Sequence, residues 1–245
     1  MALPALRALR TGDERPLSSV PRAVLLALAI SLPAHALWRI ATPATAGVAQ
    51  DLPPAPAAAV LRAAAFGEPA VVARLLSLWL LAFDDQPAVD LAYRALDYDR
   101  VIGWLDAMLA LDPRFAVPLL AASRLYTQVP VPTMQRRMLE FVHREFLRAP
   151  ARRWPWMAHA VYVARHRLHD PDLALRYARS LAVHTRPGQA PEWARQMHIF
   201  VLADMGRTEA AKVLLGALLA SGQITDPHEL ALLRQRMEDF DRGGP

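Results

Sequence analysis

From Pro56 onward, apolar residues recur at i, i+3, i+4 and i+7, in segments interrupted by helix breakers every 15 to 20 residues. That period belongs to helices burying one face. It predicts helices near 56–66, 69–85, 98–111, 113–128, 132–148, 153–168, 171–184, 190–205, 207–221 and 226–240. A different pattern precedes them. Arg7, Arg10, Arg15 and Arg22 lead into a predominantly apolar run of sixteen residues, Ala23 to Trp38, closed by Arg39. Basic before and apolar after is the pattern of an export signal.

Two readings of that run stay open. Small-x-small triplets at Ala34-His35-Ala36 and Ala44-Thr45-Ala46 suit cleavage of a signal peptide. Trp38 and Arg39 at the far boundary suit a retained anchor, where an amphipathic ring and a snorkelling cation belong. The excess of arginine before the run places the bulk of the chain outside the cytoplasm under either reading. The chain then divides into a basic cytoplasmic segment (1–22), a transmembrane anchor or signal peptide (23–41), a Pro/Ala-rich spacer (42–56) and a helical domain (57–245). The spacer "QDLPPAPAAAV" is too rich in proline for helix before Pro56 and is expected to lift the domain off the bilayer.

The joints between the helices carry their own chemistry. Gly67 suits a left-handed helix end, and Pro69 suits the first turn of the next helix. Asp112-Pro113, Asp170-Pro171 and Asp226-Pro227 each put a capping carboxylate directly before a helix-starting proline. The joints also expose a repeat. "LDYDRVIGWLDAMLALDPRF" (96–115), "RLHDPDLALRYARSLA" (167–182) and "DMGRTEAAKVLLGALLASG" (204–222) align with Val101, Ala174 and Ala211 equivalent. The last two are 37 residues apart and the first two 73, close to two such units.

These segments resemble tetratricopeptide repeats, with Gly206 at the turn glycine, Ala210 and Ala211 at the small packing positions and Tyr126 at an aromatic position. The tryptophan and Leu-Gly positions of that family are not kept, and the resemblance covers roughly residues 97–240. The layout is also similar to bacterial proteins with one N-terminal span, a proline-rich spacer and degenerate repeats. The resemblance implies an all-α fold of antiparallel helix pairs stacked as a right-handed α-solenoid, anchored to the bacterial inner membrane with its bulk in the periplasm. It implies protein contact and no chemistry.

Composition agrees with the pattern. The chain is 54% hydrophobic and dominated by Ala, Leu and Arg, which are helix formers. It has no cysteine, so thiolate catalysis, disulfides and the usual structural zinc sites are excluded. Lys212 is the only lysine, and neither phosphate-cradling glycine motif occurs. No cofactor is expected.

Charge is regional. Between Val131 and Asp170 there are eight arginines, at 136, 137, 144, 148, 152, 153, 165 and 167, against Glu140, Glu145 and Asp170. That excess of +5 equals the net charge of the whole chain. Within it, "RRWPW" opens a predicted helix at Pro155, and Arg152, Arg153, Trp154, Trp156 and His159 form a candidate basic-aromatic contact patch. The other tryptophans, Trp79, Trp104 and Trp193, are expected in packing.

Glu140 and His143 make half of a di-iron ligand motif, and His159, His166 and His169 have metal-compatible spacing, but no partner carboxylates follow at regular intervals. The expected function is a non-enzymatic scaffold or accessory subunit that binds another envelope protein. Nucleic acid is not an expected partner. The alternatives are a lipid-facing module that binds anionic headgroups and a metal-dependent all-α hydrolase.

Overall fold

In the computed structural model, residues 20–41, 51–83, 85–86, 89–90, 93–222, 224 and 226–242 are described. The basic segment before residue 20 and the first part of the expected spacer, 42–50, lie outside the described residues. The chain is all-α; its described strands, β1 (Asp85–Gln86) and β2 (Val89–Asp90), have two residues each.

Helix α1 (Arg22–Ala41) belongs to a separate unit from the helical domain. Taken by itself it carries Val24, Leu26, Leu28, Ile30, Leu32 and Leu37 exposed on successive sides, with Pro33 in its interior. No single helix among the described residues is long and apolar enough to cross a membrane.

The domain opens with an extended strap. Leu52 is buried, Arg100 donates to Leu52 O at 2.7 Å, and the Trp104 indole N–H donates to Pro53 O at 2.8 Å. Gly103 leaves room for the strap, its missing Cβ lying 3.6 Å from the Cβ of Ala55. Residues 52–56 are therefore not a free spacer. A proline-rich segment exposes unpaired carbonyls, and donors on the helix that begins at Tyr98 have captured two of them.

Helices α2 (Ala58–Ala64) and α3 (Pro69–Leu81) pack on α4 (Tyr98–Leu111). Trp79 meets Trp104 with ring centroids 4.7 Å apart and Phe83 edge-on at 5.4 Å. Asp97 caps α4 by accepting the N–H groups of Asp99 and Arg100.

Asp112-Pro113 does not start a helix. Asp112 ends α4 and accepts the N–H of Arg114, and the next helix, α5, begins at Val117 (Val117–Leu120). It runs into a π turn (Ala121–Leu125) and a 3-10 turn (Tyr126–Gln128). Side chains take up carbonyls freed there: Thr127 Oγ1 donates to Ser123 O, Tyr98 to Tyr126 O and Gln135 to Thr127 O. Pro130 and Pro132 then stop the helix, because residues before proline avoid the helical region.

The remaining helices are α6 (Pro132–Arg148), α7 (Pro150–His166), α8 (Pro171–His184), α9 (Glu192–Arg195), α10 (Met197–Asp204), α11 (Thr208–Ala220) and α12 (Pro227–Asp241). Each packs on the next in order, α6 on α7, α7 on α8, α8 on α10, α10 on α11 and α11 on α12. Alanines 160, 164, 174 and 178 are fully buried, which lets α7 and α8 approach closely. Tyr126, Phe141, Phe146, Met157 and Tyr177 fill the centre. Fully burying a side chain of this size contributes roughly 2–3 kcal/mol. Val101, Ala174 and Ala211, the aligned positions of the sequence repeat, are all at 0% exposure.

Two of the three Asp-Pro joints, and the turn at Gly206, follow the expected chemistry. Asp170 accepts the N–H of Leu173, Asp226 accepts that of His228, and Gly206 takes φ +73° between α10 and α11. Between α7 and α8 the left-handed position is held by His169, at φ +51°.

Candidate docking groove

The basic patch expected on the 131–170 segment disperses in three dimensions. Arg136 pairs with Asp170, Arg137 with Asp99, Arg144 with Asp106 and Arg165 with Asp204. Arg148 and Arg153 both reach Glu145. Among the described residues only Arg152 and Arg167 of the eight arginines make no ion pair. The compensating acids Asp99, Asp106 and Asp204 lie on α4 and α10, outside the segment over which the excess was counted.

The five candidate residues separate along α7. That helix starts at Pro150, so Pro155 is interior and the residues around it are helical. Arg152 is exposed. Arg153 is buried against Glu145 and belongs to the core rather than to a contact surface. Its orientation follows from spacing: Arg153, Met157, Ala160 and Ala164 share the inward face. Trp156 is half-buried against the core.

Trp154 and His159 border a groove. Trp154 meets Trp193 edge-on, centroids 5.8 Å apart, and His159 stacks on Tyr162 at 5.7 Å, which in turn touches His166 at 4.7 Å. Burial above all, with Arg124 and Arg167 nearby, holds the His159 imidazole below its ordinary value.

The groove itself is a hollow of about 280 Å³ between α7 and α9–α10, lined by Val161, Tyr162, His166, Trp193, Met197 and Phe200. Phe200 also lines a second hollow of about 310 Å³, with Leu232, Leu233 and Arg236 of α12. The two hollows are neighbours that share Phe200 in their linings. Their surface is apolar yet open: Trp193 is 53% and Tyr162 49% exposed, and Leu232 is exposed as well. Paired charges, Arg165 with Asp204, stand at the rim. Such a surface offers aromatic anchors within a polar border, the arrangement of peptide-binding interfaces.

The sequence pattern places Trp193 in packing, and it does not single out Tyr162, Met197, Phe200 or Leu232. A signal existed for Tyr162, which lies eight residues after Trp154 and so on the same helical face. Those on α9, α10 and α12 are joined to it only by folding.

The other polar constellations carry less. Ser180 lies between two imidazoles, His143 Nε2 at 2.8 Å from its Oγ and His184 donating to its carbonyl at 2.8 Å. Burial, then Arg176 and His184, lowers the His143 pKa. Neither hollow of the groove includes Ser180. Among the described residues no three His, Asp or Glu side chains converge on a point that could hold a metal ion. A larger hollow of about 480 Å³ beside the strap includes Asp99 and Asp106, whose carboxylates are already committed to Arg137 and Arg144.

Comparison with protein-family models, with curated proteins and with solved structures finds no match for this chain.

Proposed function

We propose that this chain is a membrane-anchored scaffold or accessory subunit, whose α7–α10–α12 groove receives an apolar segment of another protein of the bacterial envelope. One observation carries the reading. Tyr162 and Trp193 stand half open in an apolar hollow, and Phe200 of the same hollow also lines the neighbouring one on α12. In-order packing of α6 through α12, with alanines at the contacts, supports a tetratricopeptide-like right-handed solenoid, an architecture that presents such grooves to extended or helical peptides.

The anchor is α1. Its twenty residues rise about 30 Å at the helical repeat, near the thickness of a hydrocarbon core, although its apolar stretch, Arg22–Trp38, is by itself shorter than a full span. With Arg22 at one end and Trp38 at the other, the chain crosses the inner membrane once and the domain lies in the periplasm.

The test is co-purification of the intact protein in mild detergent, followed by mass spectrometry, beside a Tyr162→Ala/Trp193→Ala variant. Both positions are half exposed, so the variant keeps its fold. The expected result is loss of a membrane-complex component that the unaltered protein retains. Identical partners from both proteins would remove the groove from consideration.

A further inference from the structure

The domain carries a second apolar surface, remote in sequence from the groove. Together α2 and α3 are as apolar as a membrane-spanning segment, but the pair bends through 111° and so cannot cross as one rod. Helix α3 is apolar on both sides. Ala73, Ser77 and Leu80 are buried and Val72, Leu76 and Leu81 pack against the core, while Val71, Leu75 and Leu78, spaced i, i+4, i+7, point outward and are exposed. Val60 on α2 is exposed as well, and Phe66 in the turn is 96% exposed at φ +48°, a backbone region costly for an aromatic residue.

Charge is nearly absent from this face. Between residues 58 and 83 only Arg62, Glu68 and Arg74 are charged. Arg62 donates to Ala110 O and Arg74 pairs with Asp112, so both guanidinium groups turn back to the end of α4. Glu68, beside Phe66, limits the depth to which the turn could enter an apolar phase.

We propose that the α2–α3 pair is an in-plane membrane contact, lying at the boundary between headgroups and acyl chains with Phe66, Val71, Leu75 and Leu78 on its lipid side. A bent pair docked on the domain by its inner face, with an apolar and nearly uncharged outer face, has the form of an interfacial element. The location rests on the anchor reading of α1. Only residues 42–50 separate α1 from the docked strap, at most about 35 Å of chain. A bilayer holding α1 therefore lies within reach of this surface, whereas the groove partner is a different occupant at a different place.

The chain has no cysteine, so single cysteines bearing an environment-sensitive nitrobenzoxadiazole can report on each site in the full-length protein. The positions are Phe66→Cys and Leu75→Cys on the proposed surface, Val213→Cys on exposed α11, and Ile30→Cys on α1. All four side chains are exposed, so labelling leaves the core untouched. In phosphatidylcholine–phosphatidylglycerol vesicles, probes at 66 and 75 are expected to be quenched several-fold more by nitroxide-bearing lipid than by aqueous iodide, and the probe at 213 the reverse. Iodide quenching at 66 and 75 equal to that at 213 overturns the proposal. Protection from both quenchers also overturns it, because the surface is then covered by protein, either a second copy or a partner. The probe at 30 reads the anchor separately: lipid quenching at 30 without it at 66 and 75 leaves the anchor standing and removes the contact, and the converse does the opposite.

Discussion

Arg153 donates to Glu145 Oε2 at 2.6 Å, with the two side chains only 7% and 1% exposed, so a buried ion pair closes the turn between α6 and α7. The same guanidinium donates to Glu145 O at 2.7 Å and Pro113 O at 3.2 Å. One side chain thereby joins α6, α7 and the turn after α4.

The pair predicts an asymmetry. Glu145→Gln leaves Arg153 buried without its counter-ion and is expected to cost about 3–5 kcal/mol. Arg153→Leu costs less, because Glu145 keeps Arg148 and the nearby Arg144. Arg152→Glu, at the exposed neighbour, changes stability by under about 0.5 kcal/mol, whereas Arg153→Glu sets a second carboxylate beside the first and prevents folding. Urea denaturation of the four variants measures the order.

A second prediction concerns pH. His143, His159 and His198 all titrate below the ordinary imidazole value of 6.5, chiefly because burial disfavours the charged ring. The unfolded chain therefore takes up protons first as pH falls below 6.5. Stability is full above that value and declines on acidification toward each folded-state pKa, by no more than about 1.4 kcal/mol per pH unit for each histidine. Urea midpoints at pH 7.5 and 5.5 should differ in the unaltered protein, and replacing the three histidines by glutamine should narrow the gap.

Opposite effects are expected from two adjacent residues of the α7–α8 joint. Asp170→Ala removes the cap on Leu173 and costs about 1 kcal/mol. That backbone hydrogen bond, with help from Arg136, also holds the Asp170 carboxyl below its ordinary value of 3.8. Its contribution is thus present above that value and fades as pH falls through the depressed one. His169→Gly relieves a left-handed backbone and is expected to stabilise by a few tenths of a kcal/mol up to about 1. Thermal melts of both variants test the signs.

The strap yields a fourth. A methyl group at position 103 would sit at ordinary contact distance from Ala55, so Gly103→Ala is expected to raise helix stability by roughly 0.5–1 kcal/mol and leave the strap docked. Trp104→Phe deletes the donor to Pro53 O and exposes the strap. Limited proteolysis before residue 58 distinguishes the two.

Periodicity and turn chemistry, which are local, determined most of the secondary structure. The spacing of apolar residues placed α4, α6 and α8 within a residue of their ends, and Asp170 and Asp226 serve as the caps their dipeptides imply. Where local rules competed, the structure chose. Asp112 closes one helix instead of opening another, and Pro150 displaces Pro155 as the start of α7.

Electrostatics and exposure belonged to the tertiary structure alone. Counting charges along residues 131–170 finds an excess of arginine, but ion pairing acts through space, and Asp99, Asp106 and Asp204 arrive from α4 and α10. Trp193 and Arg153 exchange the places their hydropathy suggests, the indole half open and the guanidinium buried. A sequence position states what a side chain can do. Whether it meets water, a counter-ion or another ring is decided by helices far away along the chain.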